Sequence, residues 1–262
     1  RYIKLCTMYG GTFPLIKFGE YNRQQLQELL EGRATVFFAT AYGNPSIKNT
    51  VKEICDRHFS SIFILPLFPH YASSSTEVVL EKTRKYIQQN KPGLQAGHIT
   101  SFYRNHLFIE AFADRILSYH PEGYDHILFC YHSLPLKHIR AVENTEYCYT
   151  TACHETTRLI ARRLSLEDGH YETVFQSRMS DQWQGPFAKE RIIDIARSGN
   201  KKILLVAPSF VSDCLETALE LGVEYQELFI RNGGKELRLV ESLNHHPQWI
   251  RCLENICRDN GI

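Results

Sequence analysis

The sequence lacks an excess of either charge. Thirty Lys and Arg face 29 Asp and Glu in 262 residues, a net charge of +1, which excludes the basic surplus that draws a chain to a polyphosphate backbone. No nucleic-acid partner is expected. No apolar run approaches the roughly 18 residues of a membrane span; the longest candidates, 62–68 and 203–207, fall far short, so no integral membrane segment is expected. No initiator Met and no charged-then-apolar leader opens the chain. Arg1-Tyr2-Ile3-Lys4-Leu5-Cys6 reads as part of a folded domain, and the chain is expected to begin partway through its gene product. Eight cysteines, at 6, 55, 130, 148, 153, 214, 252 and 257, include no C-x-x-C pair. They are too sparse for a disulfide scaffold and point to reduced thiols in a cytoplasmic protein. The five-residue steps 148/153 and 252/257 turn about 140° on a helix, so these pairs read as ordinary buried thiols. G-x-G-x-x-G, P-loop, G-x-S-x-G and H-E-x-x-H motifs are all missing, which disfavours dinucleotide, nucleotide and zinc-protease chemistry.

What is present is a globular composition, 43% hydrophobic and 23% charged, that excludes disorder, collagen and coiled coil. The length suits one large domain or two of about 130 residues. Short runs rich in β-branched and aromatic residues, at 34–40, 62–67, 98–102, 125–131, 171–176 and 202–207, carry the buried-strand signature. Helical periods lie between them, at 45–58, 75–89, 105–119, 150–164, 186–198 and 212–229. Alternation of this kind predicts an α/β fold of parallel sheets flanked by helices. The breaker-rich joint His120-Pro121-Glu122-Gly123 divides it into an N-terminal α/β domain, 1–121, and a C-terminal one, 122–262, with the last helix placed to pack back on the first domain. Two similar Rossmann-like domains with a cleft between them are expected. Ligands of such sheets bind beyond the carboxyl ends of the strands.

Those ends hold the candidate chemistry. His132-Ser133-Leu134-Pro135 follows the run at 125–131, where an open α/β site would place a base or metal ligand; a turn histidine bonded to backbone is the plain alternative. After 202–207 comes Pro208-Ser209-Phe210-Val211-Ser212-Asp213-Cys214-Leu215-Glu216. Ser212 reads as a helix cap and Asp213 as a first-turn acid. Glu216, Glu220 and Glu224 then recur every four residues, stacking like charges that repel by a few tenths of a kcal/mol per pair. They form either a solvated acidic face or a track of hard oxygen ligands for a divalent cation. Gln176-Ser177-Arg178-Met179 precedes Trp183, a core plug or an aromatic wall for a flat ligand. Leu67-Phe68-Pro69-His70-Tyr71 leads into Ser73-Ser74-Ser75-Thr76, a helix start whose hydroxyls cap it or hold an anion.

Taken together, these segments resemble the ferrochelatase family, of bacterial type, whose members insert ferrous iron into a porphyrin at the end of haem synthesis. The resemblance runs from Gly10-Gly11 to about Trp249 through six ordered segments: Tyr42-Gly43-Asn44-Pro45; Leu67-Phe68-Pro69-His70-Tyr71 with Ser74-Ser75-Thr76; His132-Ser133-Leu134-Pro135; Phe175-Gln176-Ser177-Arg178; Trp183 with Gly185-Pro186; and Phe210-Val211-Ser212-Asp213-Cys214-Leu215-Glu216-Thr217. It implies a chelatase-like fold, His132 and Glu216 as the catalytic pair flanking the porphyrin centre, and His132, Glu216, Glu220 and Glu224 as metal ligands. Tyr42, Ser177, Trp183 and Phe210 would bind the porphyrin.

The substrates implied are Fe2+ and protoporphyrin IX or coproporphyrin III, with no cofactor, since metal insertion has no redox step. A homodimer or peripheral membrane contact is compatible with the resemblance. Family members usually carry a further strand and a glycine- and proline-containing loop upstream of Gly10-Gly11, so the first strand and loop are expected to be missing from this chain. Ala41 stands where many members have Arg. Ser73 stands where the animal-type pattern has a cluster cysteine, and only Cys252 and Cys257 lie near the terminus, so no iron–sulfur cluster is expected. Two rival readings are a sirohydrochlorin cobalt or nickel chelatase and a non-catalytic haem or metal binder.

Overall fold

The computed structural model describes residues 1–142 and 145–262. Its first half opens with α1 (Tyr2–Met8) and α2 (Pro14–Leu29); proline starts the second where no backbone donor is needed. Ser46 Oγ accepts the Asn49 N–H at 3.2 Å and so caps α3 (Ile47–Asp56). β1 (Ser61–Ile64) crosses through α4 (Thr76–Asn90) to β2 (Gln95–His98), and the two strands pair in parallel with Ser61 opposite Gln95. Ile47, Val51, Leu80 and Ile87 of the two helices close over Ile64. Asn105 caps α5 (His106–Leu117) by accepting the Leu107 N–H.

Residues 34–40 have the composition of a strand and are not one. The Val36 N–H donates to Gln27 Oε1 at 2.8 Å, and the Thr40 N–H closes a turn on the Pro45 carbonyl at 2.7 Å, so neither joins a ladder. The Phe38 ring lies where a Cβ on Gly19 of α2 would be. The first half therefore has two strands among the described residues, rather than three, and the second sits at 95–98 rather than 98–102.

A one-turn 3-10 helix (Pro121–Gly123) leads into β3 (His126–His132), whose residues 127–131 are all buried. A strand enclosed on both faces needs a helical layer on each. Alternation sends Ile127, Phe129 and Tyr131 to one apolar cluster and Leu128 and Cys130 to another. After α6 (Leu136–Arg140) and α7 (Tyr149–Arg163), β4 (Tyr171–Gln176) pairs with β3. α8 (Ala188–Arg197) leads to β5 (Lys202–Val206) on β3's other side. A π-helix (Glu216–Glu224) running into α9 (Tyr225–Arg231) then leads to β6 (Glu236–Leu239). The order is β4-β3-β5-β6, every pair parallel.

The last helix, α10 (Pro247–Asp259), packs on α5 and α2. Its Trp249 is fully buried and tilted on Phe102 at 5.7 Å. Cys148, Cys153, Cys252 and Cys257 are buried free thiols; burial pushes Cys252 up to about 12 and Cys257 up to about 11, which makes them poor nucleophiles. No helix of the described residues is long and apolar enough to cross a membrane.

Candidate functional site

The chain leaves β3 toward β4 and leaves β5 toward β6, so the strand order reverses between β3 and β5. That reversal opens a crevice at the carboxyl edge of the sheet. Register deepens it. β3 and β5 stay paired only to Phe129 opposite Val206, while β3 continues beside β4 until His132 lies opposite Gln176. Cys130, Tyr131 and His132 have no partner on the β5 side, where the chain departs through Pro208, which has no N–H to offer.

Period-two alternation puts His132 on the face of Leu128 and Cys130, the face against which Leu221 of the π-helix and Tyr225 pack. The imidazole is half-buried. Its Nδ1 lies 2.6 Å from the Ser133 carbonyl oxygen; a carbonyl only accepts, so Nδ1 carries a proton, and in the neutral ring the lone pair is on Nε2. Trp183 stands beside it, ring centroids 6.4 Å apart. The segment carrying Trp183 is fastened to the segment after His132 by three bonds. Leu136 N–H donates to Gln182 O (2.8 Å), Gln184 N–H to Leu134 O (3.0 Å) and Ser133 Oγ to Gln184 O (2.7 Å). From behind, Tyr149 Oη donates to the His132 carbonyl at 2.9 Å.

Across the crevice the expected α-helix from 212 does not form. Regular turns begin at Glu216 and are π-helical, a rare i→i+5 geometry found most often at functional sites. Asp213 is not an ordinary first-turn acid. It is 4% exposed and accepts from Asn244 Nδ2 (2.7 Å), Ser242 N–H (3.3 Å) and Thr217 Oγ1 (3.3 Å). A carboxylate so deep is tolerable because these donors replace water, and it straps the start of the π-helix to the loop after β6. Burial, then Asp213, pushes the Tyr9 phenol up.

The three glutamates have different company. Glu216 neighbours Cys214, whose thiol is pushed up by burial and by that carboxylate. Glu220 accepts from Tyr225 Oη (3.2 Å) and Ser177 Oγ (3.5 Å). Glu224 is exposed and paired with Arg1. Among the described residues no three His, Cys, Asp or Glu side chains gather as one metal cage, so the carboxylates are separate stations along a helix. Such stations suit exchange with a passing hydrated cation.

Ser177 holds φ +61°, a strained value for a residue with a side chain, and meets Glu220 from there. Half-buried Phe210 packs on the cluster that contains Cys130 and Tyr225. Tyr42 keeps other company: its ring is 76% exposed and lies under Lys82 of α4, whose ammonium is 4.0 Å from the centroid.

Two features went unnoticed in the sequence. Gln176, opposite His132, is 1% exposed, and neither atom of its amide has a partner among the described residues. A polar side chain directly after the buried apolar pair Val174-Phe175 is the signal that marks it. The other is a cavity of about 330 Å3 between Tyr71, Ala72 and Ser73 of the first half and Leu134 to Tyr149 of the second. No linear pattern joins those segments.

The ferrochelatase family profile matches residues 1–261. A ferrochelatase of Pseudomonas putida is 31% identical over 85% of this chain and 72% of its own length. One of Coxiella burnetii is 32% identical over 94% of this chain and 73% of its own length. Among solved structures, SirB from Bacillus subtilis with Fe3+ superposes with a TM-score of 0.63 over 92% of this chain and 88% of that one, at 12% identity. A likeness at that identity speaks to the fold alone, an α/β fold of parallel sheets flanked by helices.

Proposed function

The chain belongs to the ferrochelatase family, a family of chelatase enzymes of the lyase class, and from that premise we propose that it inserts Fe2+ into protoporphyrin IX or coproporphyrin III to form haem. What supports this reading is the reversal of strand order between β3 and β5, with His132 on the sheet face against which the π-helix that carries Glu216, Glu220 and Glu224 packs.

Insertion must strip water from the ion, remove two pyrrole protons and turn nitrogen lone pairs toward the metal. A flat macrocycle presents those lone pairs poorly. Aromatic walls at Trp183 and Phe210 would hold the ring bent, drawing on binding energy from its remote parts. His132 Nε2 would accept a pyrrole proton, and Glu216 and Glu220 would exchange ligands with hydrated iron and take the second proton. Glu224 would stand at the outer end of the track. No step changes an oxidation state, so no cofactor is required and iron enters as substrate. In this reading 1–121 and 122–262 are two domains, each with its own parallel sheet.

The test is anaerobic metallation of protoporphyrin IX and coproporphyrin III with Fe2+, run beside sirohydrochlorin with Co2+ and Ni2+. Turnover of a porphyrin with Fe2+ supports the reading; turnover of sirohydrochlorin alone overturns it. A [2Fe–2S] signature in the ultraviolet-visible and Mössbauer spectra of anaerobically purified protein would overturn the expectation that the chain holds no cluster.

A further inference from the structure

Beyond the crevice, the 330 Å3 cavity has a chemistry of its own. Ala72, Leu134, Ile139 and Val142 give it an apolar body, and Tyr71, Tyr147 and Tyr149 give it aromatic sides. Tyr71 and Tyr147 come from opposite halves and face each other at 5.0 Å. Two nitrogenous side chains line the same space: the Lys137 ammonium and the His138 imidazole. Lys137 is exposed at the rim, and His138 Nδ1 is buried with no partner among the described residues. No Asp or Glu is among the described residues that line it. The neighbouring hollow of about 260 Å3 across Tyr147 differs on that point, because Arg104 and Glu146 both line it, and Glu155 lies 3.8 Å from Arg104.

An apolar throat with an ammonium and an imidazole in its lining is complementary to a short alkyl stem that ends in a carboxylate. Its volume sits near the bottom of the range of about 300–1,000 Å3 for small-molecule pockets, which suits a side arm rather than a whole tetrapyrrole. The space adjoins the backbone at the proposed reaction centre. Leu134 lies two residues beyond His132, and Tyr149 both lines the cavity and donates to the His132 carbonyl at 2.9 Å.

We infer that this cavity receives one carboxyalkyl arm of the tetrapyrrole, with Lys137 and His138 binding the carboxylate and thereby selecting substrates that bear it. The inference rests on the ferrochelatase reading and adds to it residues that grip the substrate's edge without touching the reacting nitrogens. A charge-assisted bond to a carboxylate is among the stronger polar contacts a surface can make, so its loss is read in binding.

The experiment uses deuteroporphyrin and its dimethyl ester, presented in the same detergent, with wild type, Lys137→Gln, Lys137→Arg and His138→Asn. Metallation kinetics and porphyrin-fluorescence titration are both recorded. Lys137→Gln is expected to raise KM and Kd for the free acid about tenfold while kcat changes much less. Values for the ester should stay at those of wild type. Lys137→Arg should keep most of the affinity for the acid, and His138→Asn should weaken it less than Lys137→Gln does. Unchanged KM and Kd for the acid in Lys137→Gln overturn the inference, as does an equal loss with the ester. A wild type that metallates while the variants match it refutes the subsite alone. A wild type that neither binds nor metallates either porphyrin refutes the ferrochelatase reading and this inference with it.

Discussion

The two halves share a plan of parallel strands joined by helices and differ in how deeply it is buried. All four residues of β2 are exposed and β1 buries only Ile64, whereas β3 buries five consecutive residues and β5 four of its five. The histidines that follow their strands repeat the contrast. His70, after β1, is 2% exposed and enclosed by Tyr103, Tyr131 and Tyr149, with Nε2 at 2.9 Å from Thr156 Oγ1. Burial lowers it to about 3, so it is neutral throughout the physiological range. His132, after β3, is half-buried with one nitrogen satisfied and the other free. A post-strand position therefore does not settle a histidine's surroundings; the side chains folded around it do.

The largest effect should come from the buried sheet. Phe129→Ala removes a fully buried ring from β3 and is expected to lower stability by about 3–5 kcal/mol in urea denaturation. Next comes chemistry. His132→Ala should lower kcat/KM for metallation at least about a hundredfold, while His70→Gln stays close to wild type. Equal losses at the two histidines would break the contrast.

The largest histidine contribution to pH dependence should come from the first half. His70 has an ordinary value of 6.5 and a folded value of about 3, so between them the unfolded chain binds a proton that the native state refuses. Stability is then full above pH 6.5 and falls as pH drops toward 3, by up to about 1.4 kcal/mol per pH unit. Thermal melts from pH 7 to pH 4 check this: His70→Gln should flatten the slope, and parallel curves for the two proteins would refute the assignment. The smallest effect should be Gln95→Ala on exposed β2, within about 0.5 kcal/mol; a loss comparable to that of Phe129→Ala would erase the difference between the halves.

Those same differences explain what the sequence made legible. β3 and β5 are unbroken apolar runs, and a strand buried on both faces has no other composition available. Residues 34–40 carry the same composition for another reason: Phe38 fills the space over Gly19, and Gln27 takes the Val36 N–H that a strand would have paired. β6 is four residues holding Glu236 and Arg238, too short and too polar to stand out. At the site, the pattern of glutamates was visible, but a four-residue spacing does not distinguish π from α turns, because that choice is made by packing. Asp213 looked like a first-turn acid because its partners, Ser242 and Asn244, lie some thirty residues downstream. His70 and His132 look alike in one dimension, and only the three tyrosines folded around His70 separate them.

The pairing of β3 past the end of β5 builds a ledge into the sheet. Three unmatched residues at about 3.3 Å each make it about 10 Å tall. Its height comes from hydrogen-bond register and so is independent of the loops that furnish it. Changes in those loops can alter what rests on the ledge, but its depth changes only if the strands slip, and a slip of one residue would turn His132 to the opposite side.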